Sequence, residues 1–161
     1  MRALLYCYKS GLINNVLGLA LAGVVTRPFT SPPLDAESFP YARLANADLI
    51  YIALHGMPGK GVLWGDEMLP ALDVHGVSGG PDMRPGAVVI LEGCYGAKTP
   101  FPQAFKERGA AAVFASRDET FDKRFTLGKA GTAGNLMVRR LRAGMAIERV
   151  VDGIDTFELV G

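Results

Sequence analysis

The sequence predicts an α/β fold in which a mostly parallel sheet lies between two layers of helices, a three-layer sandwich. Short, continuously apolar blocks such as DLIYIAL (48–54) and AVVIL (87–91) alternate with segments of helical apolar spacing. Such blocks are typical of parallel strands that are covered on both faces. The 161 residues, 49% of them hydrophobic and 20% charged, are enough for one domain with a sizeable core. We therefore expect a single domain over residues 1–161.

The first third of the chain is expected to begin with a buried strand, RALLYCY (2–8), and a helix over 11–23. The helix is predicted from apolar residues at helical spacing, which are Leu12, Val16, Leu17, Leu19 and Ala20. GVV (23–25) is expected to begin a short strand. Four prolines mark 27–40 as a loop, and its inner part, LDAESF, has room for one helical turn.

A glycine-rich loop, GMPGKG, follows the apolar block at 48–54. GVLWGDEMLPAL then predicts a short strand at 61–64 and a helix from about Asp66, whose acidic side chain would cap the first turn. HGVSGGPDMRPG (75–86) predicts a second flexible loop.

The alternation of strands and helices is expected to continue to the last residue. The segments are AVVIL (strand), PFPQAFKERG (helix, ending at Gly109), AAAVFAS (strand), TAGNLMVRRLRAG (helix) and DTFELVG (short strand). In the second of these helices Leu136, Leu141 and Val138 are expected to face the core.

Composition and charge exclude several classes of function. The formal net charge of +1 gives no global electrostatic reason to expect nucleic acid or an anionic membrane as a partner. Two cysteines do not make a disulfide framework, so a reducing, cytoplasmic compartment is expected. The N-terminus loosely resembles a signal peptide, but Lys9 divides its apolar run and the uncharged stretch 10–26 is marginal for a membrane span.

Two reactive side chains stand just beyond the apolar blocks. In YIALHG the apolar run stops at His55, and VVILEGCYGA carries Cys94 between Gly93 and the pair Tyr95-Gly96. Ligands of parallel sheets bind outside the carboxyl ends of the strands, so two neighbouring strands would bring these side chains to one edge. Small residues around Cys94 suit a tight turn that exposes the thiol.

The second cysteine and the second histidine of the chain are interpreted differently. Cys7 lies inside an apolar strand with no turn beside it, and we interpret it as structural. His75 lies in a polar loop and is expected to be solvated. No cysteine or histidine pair has the spacing of zinc ligands, and GMPGKGV has Val62 where a phosphate-binding loop needs Ser or Thr, so neither a metal nor another cofactor is expected.

The order of a histidine and then a cysteine, as LHG and then ILEGCYGA, resembles the caspase-like cysteine peptidases of clan CD, in particular the CHAT group. GVLWGDEMLPALDV is similar to the CHAT segment after the histidine. FPQAFKERGAAAVFASRDETFD is similar to its helix, following strand and acidic loop, and LRAGMAIERVVDGIDTFELVG to its terminal helix and last strand. The resemblance covers roughly residues 48–161 and implies a single caspase-like domain.

The resemblance implies a catalytic dyad in which Cys94 attacks the scissile carbonyl and His55 acts as general base and acid. The backbone N–H groups of Gly56 and Cys94 would form the oxyanion hole. Glu92 would line the specificity pocket and favour Arg or Lys at the cleavage position; a solvated or salt-bridged residue at the strand end is the alternative. Asp118 and Asp122 are secondary residues for the same pocket.

The main hypothesis is therefore a caspase-like cysteine endopeptidase, a hydrolase whose partners are a peptide or protein substrate and an activating protein. The last strand is a candidate edge for a homodimer, by analogy with caspase relatives. A catalytically silent, caspase-like protein-interaction module is the second hypothesis. A flavodoxin-like hydrolase or binding protein is the third, although amidotransferase-type folds draw their histidine from downstream of the cysteine, and no histidine follows Cys94.

Overall fold

A six-stranded sheet with helices on both faces forms the centre of the molecule. The computed structural model describes residues 1–119 and 133–161. Its strands are β1 (Ala3–Tyr8), β2 (Thr26–Ser31), β3 (Leu49–Ala53), β6 (Val88–Leu91), β7 (Ala112–Ser116) and β8 (Phe157–Leu159). Their order in the sheet is β2-β1-β3-β6-β7-β8; neighbours are parallel from β2 to β7, and β8 runs antiparallel to β7. The predicted α/β class with a mostly parallel sheet is confirmed.

Four α-helices, five short 3₁₀ helices and one hairpin complete the described part of the chain. The α-helices are α1 (Leu12–Leu21), α2 (Val74–Ser78), α3 (Phe101–Glu107) and α4 (Ala133–Arg142). The hairpin pairs β4 (Val62–Trp64) with β5 (Pro70–Asp73) antiparallel. No described helix is long and apolar enough to span a membrane.

Alternate residues of each central strand point to opposite faces of the sheet, and each face has its own apolar cluster. In β3, Ile50 and Ile52 pack under α2, α3 and the hairpin, whereas Leu49 and Tyr51 pack under α1 and α4. Nearly every residue of β1, β3, β6 and β7 is buried. This explains why these strands are continuous apolar runs in the sequence.

The strand expected at 23–25 is wrong; it lies at Thr26–Ser31, inside the segment that its prolines marked as a loop. β2 is an edge strand, paired only with β1 among the described strands. An edge strand tolerates Pro28, because the N–H that proline lacks needs no strand partner where it would face the open side of the sheet. LDAESF forms the expected single helical turn, in which the Phe39 N–H donates to the Asp35 carbonyl at 2.9 Å.

The helix expected from Asp66 is also wrong. Asp66–Met68 is a single 3₁₀ turn in which Glu67 and Met68 both have φ of 56°, in the left-handed region, and β5 follows it. An α-helix cannot pass through two left-handed residues. The acidic residue that appeared to start a helix therefore marks a hairpin turn.

Two other expectations need correction in detail. Part of the predicted 75–86 loop is helix α2, which begins with the Asp73 side chain accepting from the His75 N–H at 2.7 Å. In α4, Val138 is buried and Leu141 partly buried as expected, but Leu136 is exposed and Met137 is buried instead. In α1, Leu17 and Ala20 are exposed, whereas the polar Asn15 is buried.

Candidate active site

The carboxyl ends of five parallel strands meet at one edge of the sheet, and the reactive residues lie there. β3 and β6 are direct neighbours, with Ile52 opposite Leu91. The chain leaves β3 through His55 and leaves β6 through Glu92 and Cys94. The two blocks that carry the histidine and the cysteine are therefore adjacent strands, as the proposal of a shared edge requires.

His55 is held by its backbone and by its ring. Its N–H donates to the Trp64 carbonyl at 2.8 Å, and its carbonyl accepts from the Trp64 N–H at 2.9 Å. This isolated bridge joins the end of β3 to the hairpin. The imidazole stacks on the ring of Tyr8, the last residue of β1, with centroids 4.9 Å apart and planes 16° apart. The side chain is half-buried.

Cys94 lies in a tight turn between β6 and α3. The Gly96 N–H donates to the Gly93 carbonyl at 3.1 Å, and Tyr95 adopts a left-handed φ of 55°. Ser116, fully buried at the end of β7, stabilises this turn with two hydrogen bonds. Its Oγ donates to the Gly93 carbonyl and accepts from the Gly96 N–H at 3.1 Å. The thiol-bearing residue is half-buried, as an elbow-like turn requires.

The loops after β3 and β6 touch through their main chains. Gly56 packs so closely on the Cys94 carbonyl that a Cβ at Gly56 would overlap it. A Cβ at Gly93 would lie 2.5 Å from the Leu54 carbonyl oxygen. Only glycine allows this approach. Residues 55 and 94 are thus next to the point of contact between the two loops.

Glu92 points to the face of the sheet covered by α4. Its carboxylate accepts a hydrogen bond from the Tyr51 hydroxyl, and a Cβ at Gly134 would lie 3.1 Å from Glu92 Oε2. Gly134 belongs to the first turn of α4, where the exposed N–H groups favour a negative charge. Glu92 is half-buried, and its main-chain N–H continues the β3–β6 ladder by donating to Ile52 at 2.8 Å.

Asp118 lies at the surface beyond β7, on the other side of the cysteine turn. Its carbonyl accepts from the Tyr95 N–H at 2.9 Å, and its carboxylate forms a 2.9 Å ion pair with Lys98. The hydrogen bond from Lys98 to the Asp118 carboxylate raises the pKa of Lys98 above its usual value. The carboxylate is 75% exposed, so Asp118 is a weaker candidate for the expected pocket than the half-buried Glu92. Asp122 lies outside the described residues.

Electrostatics at the edge centre on Tyr8. Burial raises the pKa of its hydroxyl, and the nearby charges of Glu92, Asp66 and Cys94 raise it further. The phenol therefore stays uncharged at neutral pH. Asp66 is itself fixed, since it accepts from the Ser10 N–H and Oγ, each at 2.7 Å.

The second cysteine and the second histidine lie outside the loops that follow β3 and β6. Cys7 is fully buried in β1, and burial raises its thiol pKa to about 12. His75 is exposed in α2. Within residues 1–119 and 133–161, no group of three or more His, Cys, Asp or Glu side chains could hold a metal ion.

Sequence reasoning missed three residues at the site, Tyr8, Tyr51 and Ser116. Tyr8 and Ser116 each end a buried parallel strand, which is the same signal that singled out His55. Their strands only become relevant once the sheet order places β1 and β7 beside β3 and β6.

No protein-family model matches the chain, and no curated protein matches its sequence. The geometry of the site must therefore support any functional assignment by itself.

Proposed function

We propose that the chain is a caspase-like cysteine endopeptidase with a His55–Cys94 dyad. The observation that carries the proposal is the main-chain contact between Gly56 and Cys94 at the ends of two neighbouring parallel strands. This contact brings a potential base and a potential nucleophile to one edge. The order of motifs from LHG to the last strand adds the resemblance to the CHAT group.

The reaction would proceed through a thioester. His55 takes the thiol proton of Cys94, and the sulfur bonds to the scissile carbonyl carbon. The C–N bond then breaks, and the protonated His55 gives its proton to the leaving amine. A water molecule, deprotonated by His55, hydrolyses the thioester and returns the free thiol.

The Gly56 and Cys94 N–H groups are proposed to stabilise the negative oxygen of each tetrahedral intermediate. Among the described residues, no main-chain carbonyl accepts a hydrogen bond from the Gly56 N–H. The bridge between His55 and Trp64 holds the preceding peptide in place, so this donor would need little reorganisation during the reaction.

Glu92 is proposed to select Arg or Lys at the cleavage position. Its carboxylate lies two residues before the nucleophile and is oriented by the Tyr51 hydroxyl. A half-buried carboxylate forms stronger charge-assisted hydrogen bonds with a cationic side chain than one in bulk water. Neutralising it should therefore lower the preference for basic residues more than it lowers turnover.

Pairing of two copies through β8 and activation by a partner protein remain proposals. Among the described strands β8 pairs only with β7, so its other edge is open to a second copy.

The test is hydrolysis of a fluorogenic peptide library varied at the cleavage position. We expect wild type to cleave after Arg or Lys, Cys94→Ala and His55→Ala to be inactive, and Glu92→Gln to lose the preference for basic residues. The chain supplies matched controls: Cys7→Ala and His75→Ala change the same residue types away from the site and should cleave like wild type.

Cleavage that survives Cys94→Ala would exclude the dyad. If wild type cleaves no peptide, either as a monomer or as a dimer and with or without a candidate activator, the protein-interaction module is favoured.

A further inference from the structure

The ring of Tyr8 is packed between the catalytic loop and the start of α1. One neighbour is the His55 imidazole, stacked at 4.9 Å. Another is Gly11, where a Cβ would lie 2.6 Å from Tyr8 Cε2 and 2.8 Å from Cζ. Gly11 is in turn fixed because its carbonyl accepts from the buried Asn15 Nδ2 at 2.9 Å. The phenol ring thus has little freedom to move away from His55.

We infer that Tyr8 is a positioning residue for the dyad, and that its ring face holds the His55 imidazole in orientation and lies against the positive charge that it gains on taking the Cys94 proton. This inference rests on the proposed peptidase function, which it deepens.

The physical basis is the negative face of an aromatic ring, which attracts a cation within about 6 Å of the ring centroid. When Cys94 gives its proton to His55, the resulting imidazolium lies on such a face. Burial keeps the Tyr8 hydroxyl protonated, so the ring carries no charge of its own. The ring face is therefore placed to stabilise the positive charge that His55 gains in the proton transfer.

The stack also restricts the rotation of the imidazole. The bridge to Trp64 fixes only the main chain of His55. The remaining freedom lies in the side-chain torsions, and a planar contact with 16° between the rings limits them. Loss of the ring should then lower kcat with little change in KM.

The variants for the test are Tyr8→Phe, which keeps the ring, and Tyr8→Leu and Tyr8→Met, which remove it. The first readout is NMR of the two histidine rings, because a stacked aromatic ring shifts the His55 ring protons upfield while the exposed His75 serves as reference. The second is the rate of iodoacetamide alkylation of Cys94, with the buried Cys7 as internal control.

We expect Tyr8→Leu and Tyr8→Met to lose the upfield shift and to alkylate Cys94 roughly two- to fivefold more slowly, as expected for a modest cation–π interaction. Tyr8→Phe should keep both. Gly11→Ala, which pushes the ring without removing it, should move the His55 signals in a protein that still contains every site residue.

Unchanged His55 signals and alkylation rates in folded Tyr8→Leu and Tyr8→Met would overturn the inference, and so would a Tyr8→Phe variant that behaves like Tyr8→Leu. These readouts need no substrate. An inactive wild type would therefore bear on the peptidase alone, and the role of Tyr8 would still be decided by the shifts and rates.

Discussion

At the scale of single residues, the turn that carries Cys94 depends on a side chain from another strand. Ser116 Oγ satisfies the Gly93 carbonyl and the Gly96 N–H at once, in a place from which solvent is excluded. An unsatisfied buried polar group costs more than a hydrogen bond contributes. Ser116 therefore stabilises both the fold and the shape of the turn.

Ser116→Ala should lower the free energy of unfolding by about 1–3 kcal/mol, because the two hydrogen bonds of the hydroxyl are lost, while the Gly96 N–H and the Gly93 carbonyl keep the one that joins them. It should also slow alkylation or turnover at Cys94. Urea denaturation measures the first effect. Ser78→Ala, at the end of α2, is the matched control and should be close to neutral; equal stability of both variants would contradict the bracing role.

How far such residues can be predicted from sequence depends on the information each one needs. His55 and Cys94 follow apolar blocks, so a rule about strand ends was enough to single them out. Tyr8 and Ser116 also end strands, but nothing local shows that β1 and β7 flank the pair that carries the dyad. Their roles need the sheet order, which comes from long-range packing.

At the scale of elements, the loops after β3 and β6 are built for contact through glycine. Gly93→Ala would place a Cβ 2.5 Å from the Leu54 carbonyl oxygen, closer than atoms approach in real structures. The loops would have to separate, so we predict a loss of about 1–3 kcal/mol in stability together with a large loss of activity.

Gly79→Ala is the control for this change. Gly79 has an ordinary helical φ of −84°, and its added Cβ would meet only the His75 carbonyl at 3.1 Å. Thermal unfolding should show a change smaller than about 1 kcal/mol. If Gly93→Ala is as stable and as active as Gly79→Ala, the loops do not depend on the contact.

The strands and helices were predicted correctly where one sequence pattern dominated. The predictions failed where two patterns indicated different structures. Buried strands such as β3 and β6 were located correctly because their apolar runs have no other explanation. β2 was missed because proline normally ends strands, and only its place at the sheet edge removes the objection. The prediction of a helix from Asp66 failed because an acidic residue before an apolar stretch is also typical of a helix start. The left-handed conformations of Glu67 and Met68 have no sequence signal of their own.

At the scale of the whole molecule, two apolar clusters on either side of one sheet hold the fold together, and both contain ionisable groups. Cys7 and Tyr6 point to opposite faces of β1, and burial raises the pKa of both, to about 12 for Cys7. A folded chain keeps these protons at pH values where the unfolded chain releases them.

Stability should therefore fall as pH rises above about 9, where Cys7 ionises in the unfolded chain, and fall faster above about 10, where the tyrosines follow. Between pH 9 and 12 the unfolded state binds fewer protons, so each such group lowers the free energy of unfolding by up to about 1.4 kcal/mol per pH unit. Urea denaturation from pH 8 to 11 checks this.

Cys7→Ala should flatten the decline between about pH 9 and 10 and make the decline above pH 10 shallower without removing it, because the tyrosines still ionise there in the unfolded chain. A stability that stays constant or rises over this range would contradict the burial of these groups.

The most direct test of the central claim is covalent capture of the nucleophile. Wild type, His55→Ala, His75→Ala and Cys7→Ala would be incubated at neutral pH with a peptidyl acyloxymethyl ketone carrying Lys or Arg at the reactive position, and the intact masses measured. We predict one adduct, at Cys94, in wild type, His75→Ala and Cys7→Ala, and none within the same time in His55→Ala. Equal labelling of His55→Ala and wild type, or an adduct at Cys7, would contradict the dyad.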